Sequence, residues 1–161
     1  AEEADKAIAT IRTLLMLAPE YSGARYNLGT AFLLKGNFEA AVQEIRKEPS
    51  ELWRLVGLAM VHWASGKTTD ADAALAELIE KYSENWAYHI AMLSSYRGEK
   101  DRAFKWLDEA VRQKATSLTY ISVEPLFKTL HDDPRWSPFL ESIGMSPAQL
   151  SAIKFEVALP N

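Results

Sequence analysis

The stretch Tyr26-Asn27-Leu28-Gly29-Thr30-Ala31-Phe32, followed by Gly36-Asn37-Phe38-Glu39-Ala40-Ala41, decides the fold. Each half has apolar residues at helical spacing, and Gly36 lies between the halves. Glycine readily takes the left-handed conformation that ends a helix, and an alanine one turn into the next helix lets two helix backbones approach closely. The stretch therefore predicts two helices joined by a tight turn.

The same spacing of glycine to alanine occurs at residues 36–41, 66–71 and 98–103. The corresponding alanines, Ala7, Ala41, Ala71 and Ala103, are 34, 30 and 32 residues apart. A period of this length is typical of helix hairpins that stack into a solenoid. We therefore predict an all-α, right-handed α-solenoid with seven helices before residue 114.

The predicted helix boundaries follow from capping residues and prolines. Ser50, Asp70 and Ser83 are the predicted N-caps of the fourth, fifth and sixth helices. Beyond Lys114, the pairs Glu124-Pro125, Asp133-Pro134 and Ser146-Pro147 predict short helices near 125–131, 134–143 and 147–154. We expect repeats over residues 1–115 and a helical cap and tail over 116–161, in the same domain, because a solenoid must cover the apolar face of its last repeat.

The composition narrows the classes of function. The 161 residues carry a net charge of −4 and no long run of like charges, which argues against a nucleic-acid partner. The apolar runs are shorter than the ~20 residues of a membrane-spanning helix. The absence of cysteine removes disulfides, thiolate metal sites and cysteine nucleophiles. We predict a cytoplasmic protein without membrane insertion, with the periplasm left open because such a chain is stable in both compartments.

No motif in the sequence indicates catalysis. The three histidines, His62, His89 and His131, lie far apart, and none belongs to a zinc-binding His-Glu-x-x-His pattern. Neither a phosphate-binding glycine loop nor a Gly-x-Ser-x-Gly nucleophile motif occurs. Acidic pairs near predicted helix starts are explained by capping and by the helix dipole. We therefore predict no catalytic residues, no metal site and no cofactor.

The repeated pattern resembles the tetratricopeptide repeat family, which has Trp-x2-Leu-Gly-x2-Tyr on the first helix of a repeat and Ala-x3-Phe-x2-Ala on the second. The opening stretch matches best, and residues 53–57 (Trp-Arg-Leu-Val-Gly) resemble a second copy. Residues 7–19 resemble the second helix of a repeat without its first helix, so we expect a truncated first repeat with a partly exposed apolar stripe. Two positions depart from the pattern: Arg25 replaces an aromatic residue, and Glu48 replaces a small one.

The resemblance implies a non-catalytic interaction domain, or scaffold, that binds a protein or peptide in a concave groove made by the first helices. The residues expected in this groove are Tyr26, Asn27, Thr30 and Leu34, then Arg54, Leu58 and His62, then Tyr88, His89 and Met92. Residues 123–145 resemble the end of bacterial proteins in which such repeats follow a cyclase or a winged-helix DNA-binding domain. An alternative therefore stays open: a regulatory or self-association module whose partner is an upstream domain of the same polypeptide or a second copy.

Overall fold

The computed structural model describes residues 2–153, and all regular secondary structure in this range is helical. The α-helices of the repeats are α1 (Glu2–Leu17), α2 (Ala24–Leu34), α3 (Phe38–Arg46), α4 (Glu51–Ala64), α5 (Thr68–Tyr82), α6 (Ala87–Tyr96) and α7 (Lys100–Arg112). Two 3₁₀ helices, Thr116–Tyr120 and Pro125–Leu130, precede α8 (Trp136–Ser142) and α9 (Pro147–Ser151). The predicted all-α architecture, with seven helices before residue 114, is confirmed.

The helices form hairpins that stack side by side. α2 packs on α3, α4 on α5, and α6 on α7. The first helices of these hairpins form an inner row, because α4 contacts both α2 and α6. The second 3₁₀ helix packs on α6 and so extends the inner row. The chain is therefore an α-solenoid whose last inner position is filled by a 3₁₀ helix.

The turns between the paired helices follow the predicted glycine pattern. Gly36, Gly66 and Gly98 have φ angles of 73°, 76° and 77°, in the left-handed region. After α2, the Gly36 and Asn37 amides donate to carbonyls of the last helical turn, at 2.9 and 3.0 Å. The alanine five residues after each glycine is fully buried. The glycine-to-alanine spacing therefore marks both the turn and the contact between the two helices.

Some of the predicted caps are wrong. Asp70 lies in the first turn of α5, whose N-cap is Lys67, so its carboxylate acts on the helix dipole without capping. Ser83 ends α5, and the N-cap of α6 is Trp86. By contrast, Ser50 caps α4 as predicted. The last predicted helix, 147–154, ends at Ser151 in the structure, and its final residue lies outside the described range.

Glu48, which departs from the repeat pattern, closes the base of the first hairpin. Its side chain is buried, and its carboxylate accepts hydrogen bonds from the amides of Gly23 (2.9 Å), Arg25, Tyr26 and Ser50 (each 3.2 Å). These amides belong mainly to the start of α2, where backbone donors lack partners within the helix. Glu48 therefore caps α2 from the far end of α3.

One hydrophobic core runs from α4 to α8 and includes the cap residues Ile121, Phe127 and Leu130. At the other end, α1 buries Ile8, while the other residues of its apolar stripe are only partly buried: Ala4, Ala7, Ile11, Leu14 and Leu15. The expected partial exposure of the α1 stripe is thus observed. None of the described helices is long and apolar enough to cross a membrane.

Candidate functional site

The inner row of helices and the cap enclose a groove of about 550 Å³. Its floor comes from α4 and α6, and α2 and the second 3₁₀ helix form two facing walls. Most of the lining side chains are apolar, with polar groups at Asn27, Thr30 and Glu124. The residues that line this groove are Tyr26, Asn27, Thr30, Leu33, Leu34, Phe38, Met60, Ala64, Met92, Tyr96, Glu124, Pro125 and Leu126.

A smaller cavity of about 280 Å³, which we call the aromatic pocket, adjoins the groove. Tyr26, Asn27, Met92 and Glu124 line both, so the two spaces are direct neighbours. The remaining residues of the aromatic pocket come from α4, α6 and the first 3₁₀ helix: Trp53, Tyr88, His89, Ser117 and Tyr120.

The rings of the aromatic pocket hold one another in place. The Tyr26 and Trp53 rings lie 5.1 Å apart between centroids. Edge-to-face contacts then join Trp53 to His89 at 5.2 Å and His89 to Tyr88 at 5.4 Å. Such separations are in the favourable range for aromatic pairs. The pocket wall is therefore a connected set of rings contributed by α2, α4 and α6.

Burial and the charge of Glu124 determine the ionisation of these rings. Burial, followed by the negative charge of Glu124, raises the pKa of Tyr26 to about 12 and raises that of Tyr88 well above its usual value. Burial lowers the pKa of His89 to about 4, so its imidazole is neutral at pH 7. The Tyr88 hydroxyl and His89 Nδ1 are buried, and neither has a hydrogen-bond partner within residues 2–153. The pocket thus holds neutral polar atoms beside one carboxylate.

The structure brings most of the predicted site residues together on the concave side. Those that line the groove or the aromatic pocket are Tyr26, Asn27, Thr30, Leu34, Tyr88, His89 and Met92. Their role in binding stays a prediction.

The three residues predicted from α4 lie elsewhere. Arg54 donates through Nη1 to the Glu48 carbonyl at 2.6 Å, so its guanidinium is engaged at the base of the first hairpin. Leu58 packs against the core that contains Ile45. His62 is buried and lines a separate cleft between α3 and the start of α5. The expectation that Arg54, Leu58 and His62 line the groove is therefore corrected.

The prediction for α4 takes Gly57 as the equivalent of Gly29, and the structure shows that the two glycines are not equivalent. Gly29 faces α3 of its own hairpin, and a Cβ there would lie 3.0 Å from the Ala41 carbonyl oxygen. Gly57 instead faces the preceding hairpin, and a Cβ there would lie 2.8 Å from Cγ2 of Ile45. The two glycines occupy different positions in their repeats. Aligning them therefore assigns the wrong face of α4 to the groove.

The alanine spacings of 30 and 32 residues give the correct register. Applied to Thr30, they lead to Met60 and Met92, and applied to Leu34 they lead to Ala64 and Tyr96. All six residues line the groove. The sequence therefore contained a signal for Met60, Ala64 and Tyr96, whereas Tyr120 and Glu124 belong to the non-repeating cap and had no such signal.

Comparison with known proteins identifies the repeats. The family model described as "Tetratricopeptide repeat" matches residues 1–51 and 56–117. Comparisons with curated proteins and with solved structures gave no significant match. The expected likeness to cyclase or winged-helix regulators stays a prediction, because the match covers the repeats alone. Within residues 2–153, no group of three or more histidine, aspartate or glutamate side chains is arranged to hold a metal ion.

Proposed function

The chain belongs to the tetratricopeptide repeat family, whose members generally mediate protein–protein interaction, and we propose that it is a non-catalytic module that binds a protein or peptide segment in the groove. The observation that carries this proposal is the continuous apolar floor between α2 and the second 3₁₀ helix. A volume of about 550 Å³ is in the range of concave ligand sites. The groove is therefore large enough to bury several side chains of a bound segment.

The side chains of the groove suit recognition by shape. Leu34 and Phe38 offer exposed apolar surface at the groove, whereas Met60 and Met92 in its floor are only 2% and 4% exposed. Asn27 is exposed on the α2 wall, where its amide can donate to and accept from a peptide backbone. Binding of this kind needs complementary surfaces and no covalent step.

Leu34 and Leu17 provide a matched pair of substitutions for testing this proposal. Leu34 lines the groove but is 77% exposed, and Leu17 on α1 is 82% exposed and does not line it. Peptides are first selected from a displayed library on the wild-type domain, and their affinities are measured by fluorescence anisotropy. We expect Leu34→Glu to weaken binding at least tenfold and Leu17→Glu to leave it unchanged, with both variants melting near the wild-type temperature. Equal affinity for wild type and Leu34→Glu would refute the proposed groove.

A second candidate function is the self-association or regulatory module, which the exposed end of α1 favours. Met16 and Leu17 are exposed there, and Ile11 and Leu15 are only partly buried. Sedimentation over a range of concentrations tests this candidate. Self-association that Leu17→Glu abolishes would support it, whereas a monomer at all concentrations would contradict self-association.

A further inference from the structure

We propose that the aromatic pocket binds the ammonium group of a lysine side chain in the segment that occupies the groove. This inference rests on the proposed function, because it specifies the chemistry of the bound segment. The pocket's aromatic lining, the charge of Glu124 and two unsatisfied polar atoms support it.

The aromatic lining of the pocket favours a cation. Tyr26, Trp53, Tyr88 and Tyr120 all line the pocket. The faces of such rings carry negative electrostatic potential and attract cations, most strongly when water is excluded. The alkyl stem of a lysine can also pack against these rings while the ammonium group goes deeper.

Glu124 supplies an uncompensated negative charge. One of its oxygens, Oε1, accepts a hydrogen bond from the Leu126 amide at 3.1 Å. The ion pairs formed by residues 2–153 do not include Glu124. A cation from a partner would therefore meet a carboxylate that no described cation neutralises.

Two buried polar atoms without partners favour a ligand that donates hydrogen bonds. Tyr88 is 4% exposed, and its hydroxyl and the Nδ1 atom of His89 lack hydrogen-bond partners in the described part of the chain. Buried polar atoms without partners are uncommon and cost stability. An ammonium group has three donors and no acceptor, which suits a site with a carboxylate, a hydroxyl and a neutral imidazole.

The same features favour lysine over other cations. A guanidinium binds best to a carboxylate with both oxygens free, and Glu124 already uses one oxygen for the Leu126 amide. A trimethylated ammonium has no N–H donor for the Tyr88 hydroxyl. Because the groove and the pocket share Tyr26, Asn27 and Glu124 in their linings, a lysine of a segment in the groove lies beside the pocket.

The test is an NMR titration of the intact chain with Nα-acetyl-lysine methylamide, followed at the Trp53 indole N–H. We expect saturable shifts with a dissociation constant in the millimolar range. The norleucine analogue, which has a similar stem without the charge, should cause no saturable shift. The arginine and trimethyllysine analogues should bind at least threefold more weakly than lysine. Tighter binding of trimethyllysine, or equal binding of norleucine, would overturn the proposal.

Variants locate the binding within the pocket. Glu124→Gln should weaken lysine binding at least tenfold, since it removes the charge but keeps an acceptor for the Leu126 amide. Glu20→Gln, at an exposed position that does not line the pocket, should change nothing. Equal weakening by both variants, or by neither, would contradict a site at Glu124.

The lysine and peptide experiments can fail separately. If lysine amide does not bind but selected peptides still depend on Leu34, the lysine inference is wrong and the groove stands. If lysine amide binds but peptide affinity does not depend on Leu34, the groove proposal is wrong.

Discussion

Ile45 fills the space that a Cβ atom on Gly29 would need. An ideal Cβ there would lie 2.4 Å from Cγ1 and 2.7 Å from Cδ1 of Ile45, and 3.0 Å from the Ala41 carbonyl oxygen. Because Ile45 and Ala41 are both fully buried, neither has free space to move into. The close approach of α2 and α3 therefore requires glycine at residue 29.

We predict that Gly29→Ala destabilises the fold. Alanine gains about 1 kcal/mol in helix propensity over glycine, but overpacking of a filled core costs about 1–3 kcal/mol, and the nearby carbonyl raises the cost further. The expected net loss is about 1–2 kcal/mol, measured by urea denaturation. In an Ile45→Ala background the same substitution should become neutral or stabilising. An undiminished loss in that background would show that Ile45 is not the cause.

A second prediction concerns the buried cap of α2. Glu48→Ala removes the acceptor for backbone amides of Gly23, Arg25, Tyr26 and Ser50. Because unsatisfied buried donors are costly, we expect a loss of about 3 kcal/mol in the free energy of unfolding. Glu39→Ala, at an exposed glutamate of α3, should change stability by no more than about 0.5 kcal/mol. Similar losses in the two variants would contradict a capping role for Glu48.

His89 gives a prediction about pH. Burial lowers its pKa in the folded chain to about 4, so between pH 6.5 and 4 the unfolded chain binds the additional proton. Folding stability should therefore fall as the pH falls through this window, with His89 contributing on the order of 3 kcal/mol. His89→Gln should remove this part of the slope, and His131→Gln, at an exposed histidine, should keep it. Stability can be followed by urea denaturation at each pH, and equal slopes in wild type and His89→Gln would refute a buried neutral His89.

The solenoid could be predicted from the sequence because the residues that determine each helix hairpin lie close together in the chain. A left-handed glycine and an alanine one turn later determine a turn and a tight helix contact without reference to the rest of the chain. The α2 wall of the groove, with Tyr26 and Asn27, could be located for the same reason. The α4 residues could not be located from Gly57, since its role depends on which neighbouring helix it faces.

The wall opposite α2 was not predictable from the repeats. Tyr120 and Glu124 reach the concave side because the chain after α7 packs back on α6, through contacts such as Ser95 Oγ with the Leu126 carbonyl at 2.8 Å. That packing is a tertiary event between residues about 30 positions apart, and no local pattern encodes it. The predicted cap thus contributes to the groove as well as covering the end of the core.

The four methionines provide the most direct test of binding in the groove. Met60 and Met92 line its floor and are only 2% and 4% exposed, whereas Met16 is exposed on α1 and Met145 packs in the cap. With ¹³C-labelled methionine methyl groups and an unlabelled peptide selected on the wild-type domain, isotope-filtered NMR reports which methyls lie close to the peptide. Binding in the groove predicts intermolecular signals from Met60 and Met92 and none from Met16 or Met145. Contacts from Met16 or Met145, with Met60 and Met92 unaffected, would contradict it.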